Sequence, residues 1–268
     1  MNFFYIKKAF DFLSYKLRRP HRNGHGIHSP FLFSFATEVL YKTLPKNQII
    51  KNIEILRKEF FKNTKILNVD DFGAGSAKLQ LQKIDRQISR IANISSTTPK
   101  YGNLYYRIAN FLKPEIVIEL GTCLGLGTMY LASGNETSKV FTIEGSTSLI
   151  QLAQKNFHSL NITNIVAEHG NFDTVLPCIL NGNGKFDLMF IDGNHRKEAV
   201  LNYFYTSLPF ASGNAIMIFD DIRWSEEMFE AWCEICRNEC VKLSLDLFKI
   251  GIVLFYKKLY KQHLQLYY

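Results

Sequence analysis

The chain has 268 residues and a net charge of +8, with 47% hydrophobic and 21% charged positions. That balance excludes a disordered polymer and provides enough apolar surface for one α/β domain with an extension. No apolar run reaches the roughly 18 residues of a membrane span, and Lys7, Lys8 and Asp11 interrupt the N-terminal apolar stretch as a secretory leader would not. A cytoplasmic protein is expected, and an odd set of five cysteines agrees with a reducing compartment. Phe3, Ile6, Phe10, Leu13 and Leu17 recur at helical spacing until Pro20, predicting a basic amphipathic helix from about Asn2 to Arg19. Residues 1–22 hold six cations against Asp11 alone, so most of the net charge sits there and the remainder of the chain is close to neutral. The apolar face of such a helix needs a partner, and its own domain or the second subunit of a homodimer is expected. A peripheral membrane contact through residues 2–19, or an RNA-contacting arm, is left open.

His21 to Pro30 form a glycine-rich loop with histidines at 21, 25 and 28. His25 and His28 are metal-ligand types, but no Cys or carboxylate lies nearby in sequence to complete a site. A structural loop that fixes the first helix is therefore expected. Helical patterns follow over Phe31 to Tyr41 and Gln48 to Phe61. Val69-Asp70-Asp71-Phe72-Gly73-Ala74-Gly75-Ser76 offers an acid and two glycines after an apolar run, yet Lys78 to Ala92 reads as amphipathic helix rather than as a strand ending in an acid. It is taken as a turn. Pro99 opens a further helix to about Leu112.

From Pro114 onward, apolar runs at 115–120, 139–143, 163–167, 187–191 and 214–219 alternate with helical stretches. That rhythm predicts βαβ units and a parallel sheet covered on both faces. Val241 to Phe248 and Ile250 to Tyr256 are separated too briefly for anything but an antiparallel hairpin. The expected fold class is α/β: a Rossmann-like, mostly parallel sheet ending in an antiparallel hairpin, with residues 1–112 a helical cap and 113–268 the main domain.

Within it, Ile116 to Leu120 reads as a buried strand, glycines follow at 121, 125 and 127, and Thr128 to Ala132 can continue a helix. Strand, glycine turn and helix start make a nucleotide-type cradle, although the spacing is not G-x-G-x-x-G. Glu119 lies two residues before the first glycine. Glu144 ends the next apolar run, placed to take the two hydroxyls of a ribose. These residues resemble motif I and the following acid of class I S-adenosylmethionine-dependent methyltransferases. The resemblance implies S-adenosylmethionine as cofactor, held by Glu119, Gly121, Thr122, Gly125, Gly127, Thr128, Glu144 and Gly145, with Asn171 and Phe172 at the adenine. The segment His25-Gly26-Ile27-His28-Ser29-Pro30-Phe31 looks like a signature of one bacterial branch of that class. The helix at Pro99 is similar to one that closes over the methionine end of the cofactor in catechol-type O-methyltransferases.

Ligands of open α/β sheets bind outside the carboxyl ends of the strands. Asp192 ends one run there, and the pair Asp220-Asp221 ends the next. Carboxylates crowded at one edge repel each other and usually hold a cation, and Mg²⁺ suits such oxygen ligands. The pattern resembles the metal-dependent catechol-like and sugar O-methyltransferases. That implies Asp192, Asp220 and Asp221 as metal ligands, with Asp192 also at the cofactor; His195 beside it reads either as a general base with Asp192 as its catalytic partner or as a capping or packing histidine. Two departures stand out: His195 replaces the usual Lys, and Asp221 the usual Asn. The plainer readings are that Asp192 caps the next helix and the pair bonds to backbone, and that Trp224 packs in the core instead of lining an acceptor pocket. Cys233, Cys236 and Cys240 recur on one predicted helix face and read as buried apolar cysteines.

The expected activity is methylation of a small-molecule or sugar hydroxyl, with Mg²⁺ assisting. Nucleic acid is disfavoured as a substrate, because Asp192-Gly193-Asn194-His195 stands where base-amino methylases carry a Pro-Pro-aromatic turn. The alternatives are an RNA or protein methyltransferase that uses the basic helix, and a non-catalytic cofactor-binding module.

Overall fold

The structure, a computed structural model, describes residues 3–43, 47–71, 82–256 and 259–268. In chain order the elements are α1 (Phe3–Arg18), α2 (Pro30–Phe35), continued by a π-helical stretch over Ala36–Tyr41, and α3 (Gln48–Lys62). Then come β1 (Ile66–Asp71), β2 (Gln82–Gln87), α4 (Ile88–Ser95), α5 (Pro99–Leu112), β3 (Ile116–Leu120), α6 (Leu126–Gly134), β4 (Lys139–Glu144), α7 (Thr147–Ser159), β5 (Ile165–His169) and α8 (Phe172–Asn183). The chain ends with β6 (Phe186–Ile191), α9 (Lys197–Ser207), β7 (Ala211–Phe219), α10 (Glu226–Arg237), β8 (Leu243–Asp246), β9 (Gly251–Leu254) and β10 (Gln262–Gln265). The chain divides into two compact units, residues 42–184 and residues 1–41 with 185–268.

In the unit of residues 42–184, β3, β4 and β5 pair in parallel, with Leu120 opposite Ile143 and Glu144 opposite His169. Parallel strands need covered faces, and α6 is buried along nearly its whole length, from Leu126 to Ala132. Glycine makes that tight packing feasible, since a Cβ on Gly102 of α5 would lie 2.3 Å from Cε2 of the Tyr130 ring of α6. Glu54 of α3 accepts from Tyr130 Oη and from Arg57 Nε at 3.0 Å, tying α3 to α6. The helix expected from Lys78 is corrected: Gln82–Gln87 forms β2, antiparallel to β1, and helix begins only at Ile88. Val69 pairs with Ile84, and Asn68 Nδ2 donates to Asp85 Oδ1 across the ladder at 2.8 Å. Cross-strand pairing thus overrides the local helical pattern. The Gly73-Ala74-Gly75 turn lies outside the described residues.

In the other unit, β6 and β7 are parallel, β9 is antiparallel to both β7 and β8, and β10 runs parallel to β8. The predicted antiparallel hairpin is therefore β8–β9. Strand β10, a short polar Gln-His-Leu-Gln, carries no sequence signal and forms by adding to the free edge of β8. Helix α1 docks here through Tyr15, which is 3% exposed, while the stripe Ile6, Phe10, Leu13 and Leu17 faces solvent, Leu17 at 83% exposure. The Tyr15 hydroxyl donates to Leu266 O at 2.9 Å and accepts from Tyr268 N at 2.6 Å. Phe12 and Tyr15 rest on Phe248, with ring centroids 5.0 and 5.3 Å away. The His21–Pro30 loop is held locally: Tyr41 Oη donates to His21 O at 3.1 Å, His21, Asn23, Gly24 and Gly26 all take positive φ, and Ser29 caps α2. No helix among the described residues is long and apolar enough to cross a membrane.

Candidate active site

The cradle lies in the loop between β3 and α6. Gly121 takes φ 104° and Gly125 φ 80°, conformations that favour glycine, and Cys123 between them is also left-handed at φ 50°. Gly125 has a second reason to be glycine, because a Cβ there would lie 2.5 Å from Phe157 Cε1 of α7. At the end of β4, Glu144 accepts from Cys123 N and from Ser146 N, each at 2.9 Å. One carboxylate thereby ties the glycine loop to the neighbouring strand end. Burial pushes the Glu144 carboxyl up from its ordinary value, and the Ser146, Cys123 and Gly145 backbone N–H groups pull part of that back. Oε2 takes the Cys123 N–H and Oε1 the Ser146 N–H, and a carboxylate oxygen can accept a further bond, as a diol would require.

Glu119 is sealed in the core at 1% exposure. Thr142 Oγ1 donates to its Oε2 at 2.6 Å and Thr128 Oγ1 donates to the same oxygen. Burial raises its carboxyl to about 7 against the pull of those two hydroxyls. Thr122 is also turned inward, with its hydroxyl 2.6 Å from that of Thr142. These threonines thus serve the buried carboxyl. Gly145 presents its carbonyl to His169 Nε2 at 3.0 Å. Asn171, exposed, caps α8 by accepting from Asp173 N at 2.9 Å, and Phe172 begins that helix half-buried.

The acids of the other unit follow β6 and β7. Asp192 and His195 face each other one turn apart, Oδ1 to Nε2 at 3.9 Å. Trp224 is 54% exposed, which removes the core-packing alternative, and its ring lies 6.0 Å from that of His195. Asp220 is 5% exposed; its Oδ1 accepts from Asp221 N at 2.8 Å and its Oδ2 from Lys249 Nζ at 2.7 Å. Lys249 Nζ also stands 3.6 Å from Asp221 Oδ1. Burial would lower the Lys249 ammonium, but Asp220, Asp221 and Asp192 outweigh it and hold the pKa up. Burial lifts Asp220, and Lys249 offsets part of that.

These residues do not fit the expected Mg²⁺. Among the described residues no group of three His, Cys, Asp or Glu is close enough to hold a metal ion. The pair at 220 and 221 faces an ammonium instead, and Asp192 turns to His195. Sequence reasoning missed Lys249 and the Arg223–Asp246 pair, whose two bonds are 2.8 and 2.5 Å. A usable signal existed, since Asp246 and Lys249 are the only charges in the apolar hairpin from Leu243 to Leu254. The cysteine expectation is corrected as well: Cys240 lies beyond α10 and is exposed, while burial pushes the Cys236 thiol up to about 12.

Residues 118–222 match the family model of a methyltransferase domain. A catechol O-methyltransferase of Niastella koreensis is 26% identical over 130 residues, which cover 47% of this chain and 58% of that protein. The O-methyltransferase hkm8 of Aspergillus hancockii is 29% identical over 118 residues, 42% of this chain and 46% of its own length. The chain thus spans about half the length of the curated relatives it matches. Two solved structures share the fold. An O-methyltransferase of Bacillus cereus in complex with SAH aligns at TM-score 0.54 and 16% identity, over 84% of this chain and 97% of that one. The O-methyltransferase TomG of Streptomyces achromogenes, in complex with SAM, aligns at TM-score 0.56 and 14% identity, over 82% and 96%.

Proposed function

We propose that this chain, whose residues 118–222 match the family model of a methyltransferase domain, moves the methyl group of S-adenosylmethionine to a hydroxyl oxygen of a small molecule. The observation that supports it best is Glu144, a carboxylate at the end of β4 that accepts a backbone N–H from the glycine loop after β3. That pairing fixes a cradle of positive-φ backbone beside an acceptor for a vicinal diol. When bound, the cofactor supplies an electrophilic methyl group on a sulfonium. Gly121, Gly125 and Glu144 bind and orient, with Gly145, Asn171 and Phe172 proposed at the base and ribose. Oxygen transfer agrees with the names of both curated relatives, and the catechol O-methyltransferase points to a phenolic acceptor. A sugar hydroxyl is the finer alternative. Residues 1–112 are proposed as a cap and 113–268 as the catalytic domain.

The residues on the acceptor side of this reading are Asp192 and His195. The imidazole, held opposite the Asp192 carboxylate, would take the proton of an acceptor hydroxyl. Most of the rate gain is then alignment of the nucleophile.

Incubation of the purified chain with methyl-labelled S-adenosylmethionine and a cell extract tests this reading. A labelled small molecule whose methyl label is released by ether-cleaving chemistry is expected. Label found only in RNA or protein would move the reading to those substrates. Cofactor binding with no labelled product from any extract would leave a binding module.

A further inference from the structure

The acidic pair after β7 already holds a cation of its own chain. We propose that the Lys249 ammonium is the resident cation of Asp220 and Asp221, filling the role that a divalent ion plays in metal-dependent O-methyltransferases. Both oxygens of Asp220 are engaged, Oδ1 by the Asp221 N–H at 2.8 Å and Oδ2 by Lys249 Nζ at 2.7 Å. A hard divalent ion needs six or more oxygen ligands with carboxylates turned toward it, and here the inward oxygen faces an ammonium.

The lysine is delivered by a braced frame. Lys249 N donates to Leu247 O at 3.0 Å and Leu247 N to Ile250 O at 2.9 Å, closing the turn between β8 and β9. The Lys249 carbonyl accepts from Ile222 N at 3.0 Å, so its backbone is bonded to the residue that follows the acid pair. Arg223, next in sequence, grips Asp246 at the end of β8 with two bonds and donates to Phe248 O at 3.0 Å. Helix α1 covers the same turn through Phe12 and Tyr15 on Phe248. It also brings Lys8, partly buried, into the field of Asp221. Two ammonium groups therefore act on two carboxylates. A divalent ion added there would meet like charges at close range in a poorly solvated site.

The functional half of the inference rests on the methyl-transfer reading: Lys249 is a positioning residue that sets the charge around the acceptor oxygen without a metal. The cation assignment itself rests on this unit alone. Mn²⁺ titration followed by electron paramagnetic resonance separates the two, with S-adenosylmethionine binding measured on the same samples. The unmodified chain is expected to take up no Mn²⁺. Lys249→Met is expected to bind Mn²⁺ at least about tenfold more tightly, and the double variant Lys249→Met/Asp220→Asn is expected to lose that gain. Mn²⁺ binding by the unmodified protein that disappears in Asp220→Asn would overturn the proposal, as would a Lys249→Met variant that folds and gains nothing. Should Lys249→Met fold only with Mn²⁺ present, the ion has replaced the ammonium and the proposal stands. Should it fold in neither condition, the unmodified protein and Asp220→Asn decide by the first criterion. A chain that passes these tests yet binds no S-adenosylmethionine would defeat the methyl-transfer reading and leave the cation assignment intact.

Discussion

Glu144 acts on its own loop as well as being the proposed acceptor for a ribose diol. Its oxygens hold Cys123 N and Ser146 N at 2.9 Å, so truncation would remove that proposed acceptor and loosen the glycine loop together. Glu144→Ala is expected to weaken S-adenosylmethionine binding by about 1.5–3 kcal/mol, the range for a hydrogen bond to a charged group. Calorimetry showing unchanged affinity would reject the assignment. Gly121 carries a different constraint, since φ 104° is a backbone state that a β-branched side chain resists. Gly121→Val is expected to abolish cofactor binding in calorimetry while unfolding stays cooperative. Near-normal binding would move the cradle elsewhere in the chain. The neighbouring glycines are poorer probes. Gly125 is hemmed in by Phe157 and Gly127 by Thr97 Oγ1, so substitutions there would disturb packing as well as binding.

Helix α1 shows how an element can be legible while its orientation is not. The spacing of Phe3, Ile6, Phe10, Leu13 and Leu17 gave the helix and its length correctly, but Ile6, Phe10, Leu13 and Leu17 point to solvent. Its docking is set by the Tyr15 hydroxyl and by aromatic contacts of Phe12 and Tyr15, which a count of aliphatic positions does not register. Tyr15 bridges residues about 250 apart in sequence, since its partners are Leu266 and Tyr268. Tyr15→Phe leaves a buried carbonyl at Leu266 without this donor. It should destabilise the protein by about 1–3 kcal/mol in urea unfolding, the usual penalty for an unsatisfied buried group, with cofactor affinity unchanged. Unaltered stability would show that the ring contacts alone hold the helix. Deleting residues 1–19 is expected to cost stability for the same reason. Flotation of the full-length protein with anionic vesicles, lost on deletion, would instead assign the exposed stripe to a membrane surface.

For the whole molecule, the alternation of apolar runs from Pro114 was enough to locate β3 to β7, because parallel strands buried on both faces read as continuous hydrophobic segments. Strands β2 and β10 were not legible, since their polar sequences become strands only through a partner. The left-handed glycine loop and the strand-end positions of the acids were legible, but the cation beside Asp220 and Asp221 was not, because Lys249 arrives from a turn 28 residues beyond Asp221. The buried acid of β3 adds a property of the whole fold. Glu119 has its carboxyl raised from 4.5 to about 7, chiefly by burial. Below the unfolded value the group is neutral in both states and removes no stability. As pH rises toward the folded value only the unfolded chain ionises, so stability falls until both states are charged. Between about pH 5 and about pH 8 the loss from this single group should be about 2–3 kcal/mol. Glu119→Gln keeps an acceptor for Thr142 and Thr128 but cannot ionise, so its stability should exceed that of the unmodified protein by a margin that widens over that interval. Urea unfolding of both proteins at the two ends of the range measures the margin. Parallel stabilities across the interval would mean that Glu119 ionises in the folded chain at an ordinary pH, and that Thr142 and Thr128 offset its burial in full.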